Sequence, residues 1–141
     1  MISSAKDLDA EAVVVLWQCC GLTRPWNDPH ADFARAVAGA NSAVLLARDA
    51  GVAIGSVMVG HDGHRGWLYY LAVAPDRRGQ GVGRALFAAA EDWLRNAGAP
   101  KVQLMVRSDN ADALAFYDAI GLARQDVVVL GRFLNANGPS G

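Results

Sequence analysis

The apolar run Leu71-Ala72-Val73-Ala74 passes through Pro75 and Asp76 into Arg77-Arg78-Gly79-Gln80-Gly81-Val82-Gly83-Arg84, and no other stretch constrains the fold as tightly. Glycines at the alternate positions 79, 81 and 83 let the backbone turn sharply and come close to a ligand. The helical pattern that follows presents its first N–H groups at the positive end of the helix dipole, an arrangement that holds a pyrophosphate or another anion. A strand feeding a helix through such a turn is an α/β device.

Three readings of the turn compete. A nucleoside-triphosphate loop requires Gly-Lys-Ser/Thr at its end, whereas here Gly83-Arg84-Ala85 stands there. A dinucleotide fingerprint requires a glycine where Arg84 stands, and an acidic residue about 20 positions on after a second parallel strand. A purely structural strand-to-helix connection stays open.

The chain of 141 residues is long enough for one domain that buries roughly 70% of its unfolded surface without disulfides or metals. A net charge of −1 gives no electrostatic footprint for nucleic acid or an anionic membrane. No apolar run is long enough to cross a bilayer, and Met1 to Asp7 lacks a basic segment followed by an apolar one, so a cytoplasmic protein is expected. Cys19 and Cys20 are adjacent on a helical pattern, which rules out a framework disulfide between them, and no basic sequence neighbour would activate either thiol. His61 and His64, with Asp62 nearby, share a turn with no further sequence-local ligand of known spacing, so no metal is expected.

The remaining pattern is a mixed-sheet α/β unit. Ile2 to Ala5 reads as a strand, and Asp9 as the cap of a helix carrying Val13, Leu16, Trp17 and Cys20. Asp28 caps, and Pro29 begins, a second helix to about Ala38. Runs 42–48, 52–60 and 67–74 read as three antiparallel strands, the first pair joined by Asp49-Ala50-Gly51. After the glycine turn come a helix to Ala97 and a parallel strand from Val102 to Val106. A helix from Asn110 to Ile120 follows, and a last strand or broken pair from Asp126 to Phe133. One domain over 1–134 is expected, with 135–141 as a disordered tail.

The glycine turn does not stand alone. Asn110-Ala111-Asp112-Ala113-Leu114-Ala115-Phe116-Tyr117 opens the next helix after a strand and is followed by Gly121-Leu122. Together the two motifs resemble the GNAT family of N-acetyltransferases, in element order as well as in residues. Leu22 to Pro29, Asp62 to Gly66 and Tyr69-Tyr70-Leu71 look like its bacterial YpeA-like branch. The resemblance implies acetyl-CoA as co-substrate and direct transfer of its acetyl group to a primary amine on a small molecule, peptide or protein, in a ternary complex. Leu71, Ala72 and Val73 would offer backbone groups to the pantetheine arm and to the thioester oxygen. Arg78, Gly79, Gln80, Gly81, Val82, Gly83 and Arg84 would wrap the pyrophosphate. Asn110 and Phe116 would lie along the cofactor, and Tyr117 would stand at the sulfur as general acid. The loop carrying Arg24, Trp26, Asn27 and Asp28 would cover the acceptor end, together with Asp62.

One departure from the family pattern matters. Between Gly66 and Ala74 there is no carboxylate to serve as general base. The expectation is therefore a water relayed by Tyr69 or Tyr70, or a carboxylate from Asp28 or Asp62. Strand alternation would send Tyr69 and Tyr70 to opposite faces, so that only one of them lines the acceptor cavity. Other readings remain: a non-catalytic acyl-CoA-binding or regulatory domain, and a nucleotide-binding α/β module. The acceptor is not identified by the sequence, and a homodimer through the final strand region is open.

Overall fold

The computed structural model describes residues 1–135. Its contacts divide into two compact units, Met1–Leu104 and Met105–Gly141.

The first unit is built on a sheet of order β1-β2-β3-β4-β5, with β1 at Ile2–Ser4, β2 at Ser42–Asp49, β3 at Val52–His61, β4 at Gly66–Val73 and β5 at Val102–Leu104. Neighbours from β1 to β4 run antiparallel, and β5 lies parallel to β4. The β2–β3 hairpin closes through Ala50 (φ 50°) and Gly51 (φ 80°), a two-residue loop with positive φ at both positions that matches the twist of the strands.

Helices α1 (Ala10–Cys19) and α2 (Pro29–Ala38) cover one face of the sheet. Val13, Val14, Leu16 and Trp17 of α1 and Phe33 and Ala36 of α2 are buried there with Val44, Leu46 and Ala72. Helix α3 (Val82–Asn96) covers the other face, burying Leu86, Phe87, Ala90 and Leu94. Two glycines let α3 approach closely. A Cβ on Gly66 would stand 2.5 Å from Leu94, and one on Gly55 would stand 2.9 Å from Leu86.

Asp28 caps α2 as the sequence predicts, its carboxylate accepting from the His30 and Ala31 amides, with Pro29 in the first turn. Asp9 precedes α1 as predicted, but its side chain does not cap the helix. Instead it accepts from the Lys6 amide (2.9 Å) and pairs with Arg48 (2.9 Å). The Lys6 amide first, and Arg48 second, hold this buried carboxyl below its ordinary range.

In the second unit, α4 spans Ala111–Ala119, and the Asn110 side chain caps it by accepting from the Ala113 amide at 3.2 Å. The helix closes at Gly121 (φ 94°), with the Leu122 amide on the Tyr117 carbonyl. The strand expected from Asp126 to Phe133 does not form among the described residues. Val127, Val128, Val129 and Leu130 are exposed instead, because β-branched composition makes a strand only where a ladder partner exists. Of the expected tail, 136–141 lie outside the described residues. No helix among the described residues is long and apolar enough to cross a membrane.

Candidate active site

The glycine turn adopts the geometry its composition demands. A short 3-10 turn, Pro75–Arg77, leads from β4, and an ion pair between Arg77 and Asp49 (2.6 Å) ties it to the β2–β3 hairpin. Gly79 (φ 78°) and Gly81 (φ 82°) both sit in the left-handed region, and a Cβ on either would meet nothing within 4 Å. Glycine is needed there for its backbone angle, and the space beside it is open to a ligand. Gly81 is the N-cap of α3 and has no side chain to satisfy the helix amides. The Ala85 amide bonds the Gly81 carbonyl at 3.0 Å, which leaves the amides of Val82, Gly83 and Arg84 ahead of the first intrahelical bond.

Beside this loop, β4 parts from its parallel neighbour. The β4–β5 ladder joins only Gly66, Trp67 and Leu68 to Val102, Gln103 and Leu104. The strand predicted to run to Val106 therefore stops at Leu104, and β4 continues to Val73 paired with β3. The Ala74 amide bonds the Ile54 carbonyl of β3 at 2.8 Å, so by strand alternation the polar groups of Val73 face away from β3. On that side the Cys20 thiol donates to the Val73 carbonyl (3.3 Å), and Arg78 donates to the Cys20 sulfur (3.7 Å). The cysteine pair therefore does have a basic neighbour. Folding supplies it from 58 residues away, beyond the reach of a sequence-local reading.

The centre of β4 departs from regular alternation. The β3–β4 register shifts between Ser56 and Met58, and Tyr70 takes φ 55°, a conformation that costs a non-glycine residue about 1–3 kcal/mol. Trp67 and Tyr69 alternate with Gly66 and Leu68 and so point away from α3. The bulge turns Tyr70 to this same face. Its ring stacks on Trp17 of α1, with centroids 4.0 Å apart and planes 9° from parallel. The expectation that Tyr69 and Tyr70 face opposite sides is thus wrong, and the extra residue of the bulge is the reason.

Tyr70 is held at both ends. Its hydroxyl donates to Asp32 of α2 at 2.8 Å, and Asp32 is also paired with Arg35. Behind it, the Trp17 indole N–H donates to the buried Ser56 hydroxyl at 3.2 Å. Burial, then the Asp32 hydrogen bond, pushes the Tyr70 phenol well above its ordinary value. Tyr69 is half-exposed, and burial followed by the charge of Asp62 raises its phenol as well. In the second unit, burial pushes Tyr117 up to about 12.

The other expected acceptor residues have local partners. The Arg24 guanidinium donates to the Gly21 and Thr23 carbonyls, both at 2.9 Å. Trp26 is partly exposed and the Asn27 amide bonds the Arg24 carbonyl. Asp28 is engaged as the α2 cap. Asp62 accepts from the His64 and Arg65 amides and from the Trp67 indole, contacts that hold its carboxyl at about 2, the two backbone amides contributing most. Asp62, Trp67 and Tyr69 line a shallow, open cavity of about 510 Å³ with the connection from Gly39 to Ser42.

Residues 10–122 match the acetyltransferase (GNAT) family. The chain belongs to that family. It is 44% identical over 126 residues to an acetyltransferase of Yersinia enterocolitica, covering 89% of each chain. Among solved structures it is similar to a ribosomal-protein alanine N-acetyltransferase from Escherichia coli, at TM-score 0.74 and 29% identity, over 86% of this chain and 76% of that one. An aminoglycoside N-acetyltransferase in complex with CoA shares the fold at TM-score 0.82 and 22% identity, covering 96% of this chain and 95% of that one.

In this GNAT chain the sequence reading missed Asp32 and Trp67. Asp32 reads as an ordinary acidic residue in the first turn of α2, and only folding brings it to Tyr70 across 38 positions. Trp67 reads as a strand aromatic until the Asp62 turn closes against it.

Proposed function

We propose that this protein transfers the acetyl group of acetyl-CoA directly to a primary amine, with both substrates held together and no covalent enzyme intermediate. The observation that carries this reading is the continuous path from the edge of β4, unpaired by β5 beyond Leu68, into the left-handed glycines at the start of α3. A strand edge without a ladder partner accommodates an extended amide-bearing arm by hydrogen bonding. The helix start accommodates a pyrophosphate on the amides of Val82 to Arg84, and the open space beside Gly79 and Gly81 lets the backbone reach it. The bound thioester supplies an activated acetyl carbonyl.

The chain's own groups then handle the protons. Tyr117, assigned from the family pattern, donates a hydrogen bond to the departing sulfur. Its high pKa keeps that proton in place at neutral pH. With no carboxylate on β4, the acceptor's proton leaves through Tyr70. Its oxygen takes a proton from the ammonium as its own proton moves along the existing hydrogen bond to Asp32. Asp28 is a poorer base candidate because its carboxylate already caps α2.

The test is release of CoA thiol from acetyl-CoA across a panel of primary amines, alongside calorimetric titration of acetyl-CoA. Tyr117→Phe is expected to lower kcat about 100-fold with cofactor affinity retained. Tight acetyl-CoA binding with no turnover on any amine would favour a binding or regulatory role instead.

A further inference from the structure

The cavity beside Tyr69 has a composition that selects a kind of acceptor. Its Trp67 and Tyr69 walls lie on the same face of β4 as Tyr70, toward the amino-terminal end of the strand. Asp62 lines the cavity in a fixed orientation. One carboxylate oxygen accepts from the His64 (2.9 Å) and Arg65 (2.8 Å) amides, and the other from the Trp67 indole N–H (3.3 Å). Each carboxylate oxygen has about two lone-pair sites, so the oxygen that accepts from the Trp67 indole has one further site at the indole edge.

The cation of the same turn is directed elsewhere. Arg65 directs its guanidinium at the His64 carbonyl (3.1 Å), and Asp62 forms no ion pair among the described residues. The ring nitrogen Nδ1 of His61 accepts from the Gly63 amide. One oriented carboxylate beside two aromatic side chains attracts an organic ammonium, through charge and through the negative faces of the rings. A single carboxylate is a poor metal site, because hard divalent cations take several oxygen ligands.

We infer that the cavity of Asp62, Trp67 and Tyr69 binds a second cationic group of the acceptor, so that the substrate class is an extended diamine or polyamine. This rests on the amine-acetylation reading above. Trp67 and Tyr69 precede Leu71, the residue expected at the thioester, by four and two positions. Measured along β3, which faces Trp67 with Gly60 and Tyr69 with Met58 and takes up the bulge before Ser56, the aromatic pair lies about one to three strand residues from Leu71, so the two amino groups are about 3–10 Å apart. An extended alkyl diamine of six carbons reaches toward the far end of that distance, where Trp67 holds Asp62, and one of three carbons stops short of it.

The experiment measures kcat/KM for 1,6-diaminohexane, hexylamine and 1,3-diaminopropane, and records the Trp67 indole N–H resonance as each is added without acetyl-CoA, assigned with Trp67→Phe. The wild type is expected to favour 1,6-diaminohexane over hexylamine by about tenfold or more, and Asp62→Asn to bring that ratio to within about twofold of one. The asparagine keeps an oxygen for the His64 and Arg65 amides, and Tyr69→Leu, which leaves the turn untouched, is expected to lower the ratio as well. Equal rates for the two six-carbon amines, or a preference unmoved by both variants, would overturn the inference while leaving amine acetylation standing. If no amine is acetylated, that reading falls and the resonance decides this one. A shift with 1,6-diaminohexane alone, absent in Asp62→Asn, supports the cavity as a cation site, and no shift refutes it.

Discussion

The glycine turn and the bulged centre of β4 occupy neighbouring stretches of chain, yet they are built in different ways. In the turn, the proposed role falls to the backbone: two glycines at positive φ and the first amides of a helix, all within a few residues. At the bulge, the proposed role falls to a side chain, Tyr70, held by Trp17 from α1, Asp32 from α2 and a register shift against β3. The turn depends on a few local conformational choices. The bulge depends on packing that exists only once both helices have docked.

The sharpest way to break this contrast is to remove the packing. Trp17 is fully buried, stacks on Tyr70 and donates to the buried Ser56 hydroxyl. Trp17→Ala is expected to cost about 3–5 kcal/mol in chemical denaturation, from lost burial, a cavity and a hydroxyl left without its donor. Acetyl-CoA affinity of the folded fraction should persist, because the ring and hydrogen-bond partners of Trp17 are Phe33, Tyr70 and Ser56, which lie outside the glycine turn. A loss under about 1 kcal/mol would show that the site does not rest on the α1 core.

A smaller effect is expected from Gly81→Ala. The left-handed angle there costs an alanine about 1–2 kcal/mol, although a Cβ would meet no atom within 4 Å. The variant should stay folded and bind acetyl-CoA more weakly in calorimetric titration, by about fivefold to thirtyfold if the whole strain is relieved by moving the loop. Unchanged affinity with full loss of stability would mean that the loop keeps its shape and absorbs the strain. Unchanged affinity and stability would mean that the angle is not essential.

The same division explains what could be read in the sequence. The helices, the β2–β3 hairpin, the Asp28 cap and the glycine turn are written in neighbouring residues, and they appear where the spacing of apolar, turn and capping residues puts them. Asp28 and Pro29 set the start of α2 because a cap needs only the next two or three amides. The face on which Tyr70 lies depends on one extra residue in a ladder, which alternation cannot foresee. The Asp32 partner of Tyr70 and the Arg78 neighbour of Cys20 depend on docking over 38 and 58 residues. Asp126 to Phe133 has a strand-like composition without a ladder, so propensity alone misleads there.

Tyr70→Phe separates the two roles that the bulge combines, and its effect should be the smallest. The phenylalanine ring keeps the stack on Trp17, and the left-handed backbone at this position is unaltered in cost because both side chains are aromatic. What is lost is the hydrogen bond to Asp32, whose carboxylate keeps Arg35 as a partner. The stability loss should therefore be about 1 kcal/mol. If the acceptor's proton leaves by this hydroxyl, kcat should fall about tenfold or more with KM for acetyl-CoA unchanged, a water in the hydroxyl's place limiting the loss. The stability loss without any change in kcat would make Tyr70 a structural strut and move the proton's exit to Tyr69, the half-exposed neighbour on the same face.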